Sequence, residues 1–168
     1  MPDTRPDSTS DKQQLYEVLL RYCRAIDRKD FELLRLVFHP DGIDDHGDFS
    51  TGGVDALIES CRVGLAQYAI TTHSITNTFF EVDGDTAEGE TYVLATHITR
   101  SNPPDTVMMS ARYLDRFERR DGQWGIIYRT YCIDWSNKPD FDPNGPKGAG
   151  DANDPSYRVL PKFARVGD

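Results

Sequence analysis

Asp27, at the end of an amphipathic helical stretch, and His73, within a strand-like run, are the residues of this chain with the most chemistry to offer. A carboxylate aimed at an imidazole fixes its tautomer and stabilises the imidazolium, which makes a general base without metal or cofactor. Each residue stands where local structure would not choose it. Asp27 falls in the last turn of its helix, where the dipole favours cations. Arg24, Arg28 and Lys29 around it offer a local surface neutralisation worth little energetically. The functional alternative is that Asp27 borders the buried stripe of Tyr22 and Ile26 and points inward to hold an imidazole. His73 lies in Thr71-Thr72-His73-Ser74-Ile75, a β-rich segment in which a lone histidine is by default an ordinary core or surface residue.

Other groups could join them. Arg129 falls on an inward face, where burial is expensive unless it meets a carboxylate or an anionic group, and Asp27 is one candidate partner. Tyr22 and Tyr131 are hydroxyl donors able to stabilise developing negative charge, although aromatics at this spacing are more often core. His39-Pro40-Asp41-Gly42-Ile43-Asp44-Asp45-His46-Gly47-Asp48 is rich in ligand types but matches no zinc spacing and no EF-hand loop. No metal is expected there; His46 or Asp44 entering a pocket is the better reading. Nucleophile elbow, phosphate loop and dinucleotide fingerprint are all missing, so no cofactor is expected.

The elements that must position these groups begin with helices. Ser10-Asp11-Lys12-Gln13 reads as a capping box, followed by Leu15, Val18, Leu19, Tyr22 and Ile26 at helical spacing, so a first helix is expected from about Asp11 to Arg28. Asp30 can cap a second, Phe31 to Phe38, stopped by His39-Pro40-Asp41-Gly42. Thr51-Gly52-Gly53 opens a third, with Leu57, Ile58, Cys61, Leu65 and Tyr68 as its buried stripe. From Thr71 the period changes to two, and strands are expected over about 71–82, 86–100, 107–119 and 124–135. Asp83-Gly84 and Asp121-Gly122 are hairpin signals. A three-residue loop at Arg120-Asp121-Gly122 would pair Arg119 with Gln123, Tyr113 with Arg129 and Ala111 with Tyr131. The first hairpin puts His73 opposite Val93 or Ala95, with His97 on the same face. That face collects His73, Val93, Ala95, His97, Met109, Ala111, Tyr113, Arg129, Tyr131 and Ile133, an apolar wall with a few convergent polar groups, as in a binding cavity. The arrangement is α+β, with a curved sheet wrapped around helices.

Size and composition set the bounds. The 168 residues suit one domain, here residues 11–136, between a flexible start at 1–10 and a Pro/Gly-rich tail at 137–168. Tyr157, Val159, Leu160 and Phe163 could fold that tail over the pocket or onto a neighbouring subunit, and a frayed tail is the alternative. The net charge of -9 opposes phosphate binding, so nucleic acid is not an expected partner. No apolar run approaches the roughly 18 residues of a membrane span, and the polar N-terminus lacks a secretory signal, so a cytoplasmic protein is expected. Cys23, Cys61 and Cys132, odd in number and each in an apolar segment, read as reduced core thiols.

Leu15 to Asp27, the stop at Phe38-His39-Pro40-Asp41-Gly42, His73 to Val82, Tyr113 to Trp124 and Arg129 to Trp135 together resemble the SnoaL-like branch of the nuclear transport factor 2-like superfamily. The resemblance implies a cone-shaped α+β barrel, three N-terminal helices packed in a curved, mixed, mostly antiparallel sheet. The fold hosts many activities, so its motifs speak to architecture more than to reaction. Within it, the pattern resembles hexachlorocyclohexane dehydrochlorinase, scytalone dehydratase and bile acid 7α-dehydratase, which share an Asp ending the first helix and a His on the first long strand. Asp27 and His73 occupy those positions. Arg129 matches the dehydrochlorinase arginine, and Tyr22 stands where that enzyme has a lysine and the bile acid enzyme a tyrosine. His97 is the counterpart of a second histidine in scytalone dehydratase. The implied reaction is a cofactor-independent β-elimination, or a related isomerisation, on a hydrophobic ring-containing small molecule. The competing readings are a non-catalytic binding or assembly module and, less favoured, a small subunit of a ring-hydroxylating dioxygenase. Related proteins self-associate through the outer sheet face, which here would carry Tyr92, Leu94, Leu114 and Tyr128, so a homotrimer or homodimer is expected.

Overall fold

The computed structural model describes residues 8–138 and 145–163. The start of the expected N-terminal tail and part of the C-terminal one lie outside those residues. The first helix, α1 (Thr9–Arg28), buries Leu15, Val18, Leu19, Tyr22 and Ile26 on one face. Its N-cap is Ser8, and no side chain caps it. Ser10 is already inside the helix, where its hydroxyl accepts from Gln14, so the expected capping box does not form. Lys29 closes α1 in a left-handed conformation (φ 55°), its N–H returning to the last turn. Asp30 caps α2 (Phe31–Val37) as expected, accepting from the Leu33 N–H at 3.0 Å.

Where the sequence suggests only a helix stop, a strand begins. β1 (Phe38–Asp45) pairs antiparallel with the short β2 (Thr51–Gly53), which leads into α3 (Val54–Gly64). The long strands β3 (Tyr68–Asp83), β4 (Thr86–Thr99), β5 (Thr106–Arg120) and β6 (Gln123–Ser136) form a meander. The order is β2-β1-β6-β5-β4-β3, with β1 running parallel to β6 and every other pair antiparallel. Bulges interrupt β3–β4 and β5–β6, and such extra residues bend and coil a sheet. The helices fill its concave side, and one core joins α1, α2, α3 and the inward sheet positions.

The register at the second hairpin differs from expectation. Asp121 and Gly122 both adopt positive φ (52° and 79°) in a two-residue turn that pairs Arg120 with Gln123. Such a turn alone would exchange the two faces. A bulge between Arg116 and Phe117 adds one residue and restores the parity, so Tyr113 faces Tyr131, Ala111 faces Ile133 and Arg129 faces Asp115. The first hairpin puts His73 opposite Ala95.

The described part of the C-terminal segment lies on the outer sheet face rather than over the helices. Val159 and Leu160, at the end of α4 (Pro155–Val159), pack with Leu114 and Cys132. Arg112 anchors it through Asp154 at 2.7 Å. Leu114, expected on an open self-association face, is fully buried by the chain's own tail.

Candidate active site

Between the helices and the concave sheet lies a cavity of about 390 Å³, within the range of small-molecule sites. Ile26, Leu65, Tyr68, Met109 and Tyr113 give it an apolar wall, interrupted by His46, His73 and His97.

The end of α1 meets the start of β3 here. His73 Nδ1–H donates to Asp27 Oδ1 at 2.7 Å, and the His73 backbone N–H donates to Asp27 Oδ2 at 3.0 Å. Both carboxylate oxygens are thus engaged by one residue, which fixes the imidazole plane and tautomer. With Nδ1 protonated, Nε2 carries the lone pair on a residue that lines the cavity. Local cations do not take Asp27: Lys29 Nζ donates to the Leu65 and Tyr68 carbonyls, and Arg28 reaches only the Asp27 backbone oxygen.

His97 stands beside this pair, its ring centroid 5.5 Å from that of His73, stacked on Tyr68 at 4.7 Å. Its Nδ1 is 2.7 Å from Thr71 Oγ1. Burial, reinforced by the His73 imidazole, lowers its pKa from 6.5 to about 4, so His97 is a neutral hydrogen-bonding group at the cavity wall. The unfolded chain binds that proton at the ordinary value, so between pH 6.5 and about 4 it holds more protons than the folded one. Stability from this group therefore falls as pH falls through that window. Acidification to pH 4 is expected to cost on the order of 3 kcal/mol. Urea midpoints measured across the window should show this limb in the native protein and lose it in His97→Gln; an unchanged profile would remove His97 as its source.

Arg129 does not line the cavity. Its guanidinium is fully buried, bidentate to Asp115 with both contacts at 2.7 Å, and lies against the rings of Tyr22 (4.1 Å) and Tyr113 (4.0 Å), which meet edge to face. Asp115, not Asp27, is its carboxylate. Burial pushes the Asp115 carboxyl up and the guanidinium opposes this. Burial also pushes the Tyr22 and Tyr113 phenols well above their ordinary range, so both keep their protons. Val93, Ala95, Ala111 and Ile133 share the inward face but belong to the packed core rather than the cavity lining.

A second carboxylate–imidazole pair reaches the cavity from beyond β1. His46 Nδ1–H donates to Asp44 Oδ2 at 2.8 Å, with Asp44 fully buried and the His46 ring stacked on Tyr131 at 4.6 Å and 10°. The signal was available in the sequence, since residues two apart on an extended segment share a face. Among the described residues no group of three or more His, Cys, Asp or Glu side chains could hold a metal ion. The three cysteines are free and buried, with Cys23 and Cys61 pushed up to about 12 by burial. No helix among the described residues is long and apolar enough to cross a membrane.

A family model for the SnoaL-like domain matches residues 7–130. An uncharacterized protein of Mycobacterium tuberculosis is 28% identical over 130 residues, 74% of this chain and 87% of its own. Among solved structures, a scytalone dehydratase-like protein from Novosphingobium aromaticivorans superposes with a TM-score of 0.74 at 19% identity, covering 85% of this chain and 95% of its own. A hexachlorocyclohexane dehydrochlorinase from Novosphingobium barchaimii gives 0.70 at 18% identity, over 77% of this chain and 90% of its own. These two are likenesses of fold. With the family model spanning most of the α+β barrel, the chain belongs to the SnoaL-like domain family, on the nuclear transport factor 2-like fold.

Proposed function

We propose that the chain is a cofactor-independent lyase, or a related isomerase, acting on a hydrophobic ring-containing small molecule. The observation that carries this reading is the Asp27–His73 pair, held by two hydrogen bonds at the wall of a largely apolar cavity. His73 Nε2 takes a proton from carbon next to an activating group, and Asp27 Oδ1 stabilises the imidazolium that results. The Tyr22 hydroxyl, kept protonated by burial, donates to the negative charge that develops. Arg129 acts as a positioning residue, its guanidinium packed against both the Tyr22 and Tyr113 rings. The neighbours' dehydratase and dehydrochlorinase descriptions agree with this reaction class.

A probe that asks only for a base in an apolar pocket tests the reading before the natural substrate is known. The ring opening of 5-nitro-1,2-benzisoxazole is expected to run faster with the protein than with an equal concentration of free imidazole. His73→Ala should lower that rate by roughly 10²-fold or more. Undiminished turnover by His73→Ala, or no turnover by the native protein, would overturn the elimination reading and favour a binding module.

A further inference from the structure

His46 and Asp44 are not used by the chemistry above, yet they are built as carefully as the pair that is. Asp44 is fully exposed to protein and not at all to solvent, a costly place for a carboxylate without a charged or hydrogen-bonding partner. Its Oδ2 accepts from His46 Nδ1–H, while Oδ1 has no partner among the described residues. Tyr131 stacks on the His46 ring, which lines the cavity, and the bond from Nδ1 leaves Nε2 as the ring's other polar atom. The strand order is informative: β1, which carries Asp44, and β3, which carries His73, are separated by β6, β5 and β4. The coiled sheet brings the two imidazoles to one cavity from different sides of the cone.

Their electrostatic settings also differ. In the sheet register Arg129 faces Asp44 on β1 and Asp115 on β5. Arg129 bonds Asp115 and not Asp44, so one guanidinium and two carboxylates lie in neighbouring strands in a region closed to water. With a proton on His46, that cluster carries no net charge. His73 has the neutral His97 as its neighbour. Paired titratable groups in contrasting surroundings are how a site divides acid from base.

We propose that the Asp44–His46 pair is the general acid of the site, protonating the leaving group while His73 removes the proton from carbon; this rests on the elimination reading above. In a dehydration the C–H electron pair becomes the new C=C bond and its proton goes to His73 Nε2. The C–O electron pair departs with oxygen, which takes the proton of His46 Nε2 and leaves as water. The site is left with a proton on His73 and a neutral His46, and exchange with solvent water restores both. The assignment names the substrate's leaving group by class: a hydroxyl or similarly basic oxygen, which needs a proton to depart.

The test is leaving-group dependence. A series of 1,2-benzisoxazoles from the 5-nitro compound to the unsubstituted parent yields increasingly basic phenolates from the same deprotonation. The native protein is expected to show a shallower dependence of rate on leaving-group basicity than free imidazole does. His46→Gln should slow the parent at least tenfold more than the 5-nitro compound and steepen the dependence toward that of imidazole. Asp44→Asn should shift it the same way. His73→Ala should slow both probes alike. A native slope as steep as that of imidazole, or equal slowing of both probes by a folded His46→Gln, would overturn the assignment while leaving the elimination reading intact. Turnover that does not depend on His73 would overturn the elimination reading itself. The native slope decides the question even if neither variant folds.

Discussion

Replacing Arg129 with Met is expected to destabilise the fold by about 3–5 kcal/mol, the usual cost of removing one partner from a buried ion pair. The guanidinium and the Asp115 carboxylate are both fully shielded from solvent, and the two 2.7 Å contacts between them are bidentate. Met fills much of the space that the Arg129 side chain takes against the Tyr22 and Tyr113 rings, so the loss comes mainly from a carboxylate left without its countercharge. That cause makes a second, opposite expectation. The double variant Arg129→Met with Asp115→Leu removes both charges and should recover most of the loss, because a well-packed apolar pair can replace a buried ionic one at little cost. Urea unfolding of the native, single and double variants measures both numbers. A single substitution costing under about 1 kcal/mol would match the value of a solvent-exposed pair, and the buried geometry would then not describe the protein in solution. Equal costs for the single and double variants would place the energy in packing rather than charge.

The sequence was most legible where period and composition acted together. The stripe from Leu15 to Ile26 and the alternation from Thr71 onward found the first helix and four long strands nearly to the residue. β1 was not legible, because Phe38-His39-Pro40-Asp41-Gly42 carries turn signals at the level of propensity. Parallel pairing with β6 at Phe38 and again from Ile43 holds the strand on both sides of an irregular stretch at those residues, a tertiary effect no local window contains. Arg129 was found on the inward face, but its partner was not. Finding Asp115 requires the turn to have two residues and the strand a bulge, two one-residue shifts that add to a register change of two. The face was therefore read correctly through a wrong register, since only the parity of the shift decides which side a residue points to. The placement of Asp27 beside His73 came from the resemblance and from the awkwardness of each residue in its own element. Asp44 and His46 read as possible pocket residues; their direct bond follows only once the stretch is known to be extended, which its turn signals and lack of a dominant period conceal.

Among single substitutions, those in the Asp27–His73 pair are expected to have the largest effect on rate, and the two residues should fail in different ways. His73→Ala removes the base outright and leaves the Asp27 carboxylate one of its two hydrogen bonds, that from the backbone N–H of residue 73. Asp27→Asn is subtler. The amide oxygen can still accept from that backbone N–H, so the junction of α1 with β3 should survive. Its amide nitrogen would face His73 Nδ1 as a donor, and a donor there forces the proton onto Nε2, the nitrogen that must be free to act as base. Turnover of the benzisoxazole probe is then expected to fall by on the order of 10²–10⁴-fold with little change in melting temperature. The wrong tautomer has a signature that mere misfolding lacks: imidazole nitrogen NMR shifts should exchange between Nδ1 and Nε2 in Asp27→Asn. Asp27→Ala, which leaves the tautomer free, should retain more activity than Asp27→Asn if tautomer control dominates. If instead Asp27→Asn turns over at the native rate with the native tautomer, the carboxylate serves the α1–β3 junction and not the base. The double variant Asp27→Asn with His73→Ala should be no slower than His73→Ala alone, because a residue that acts only through the imidazole has nothing left to act upon.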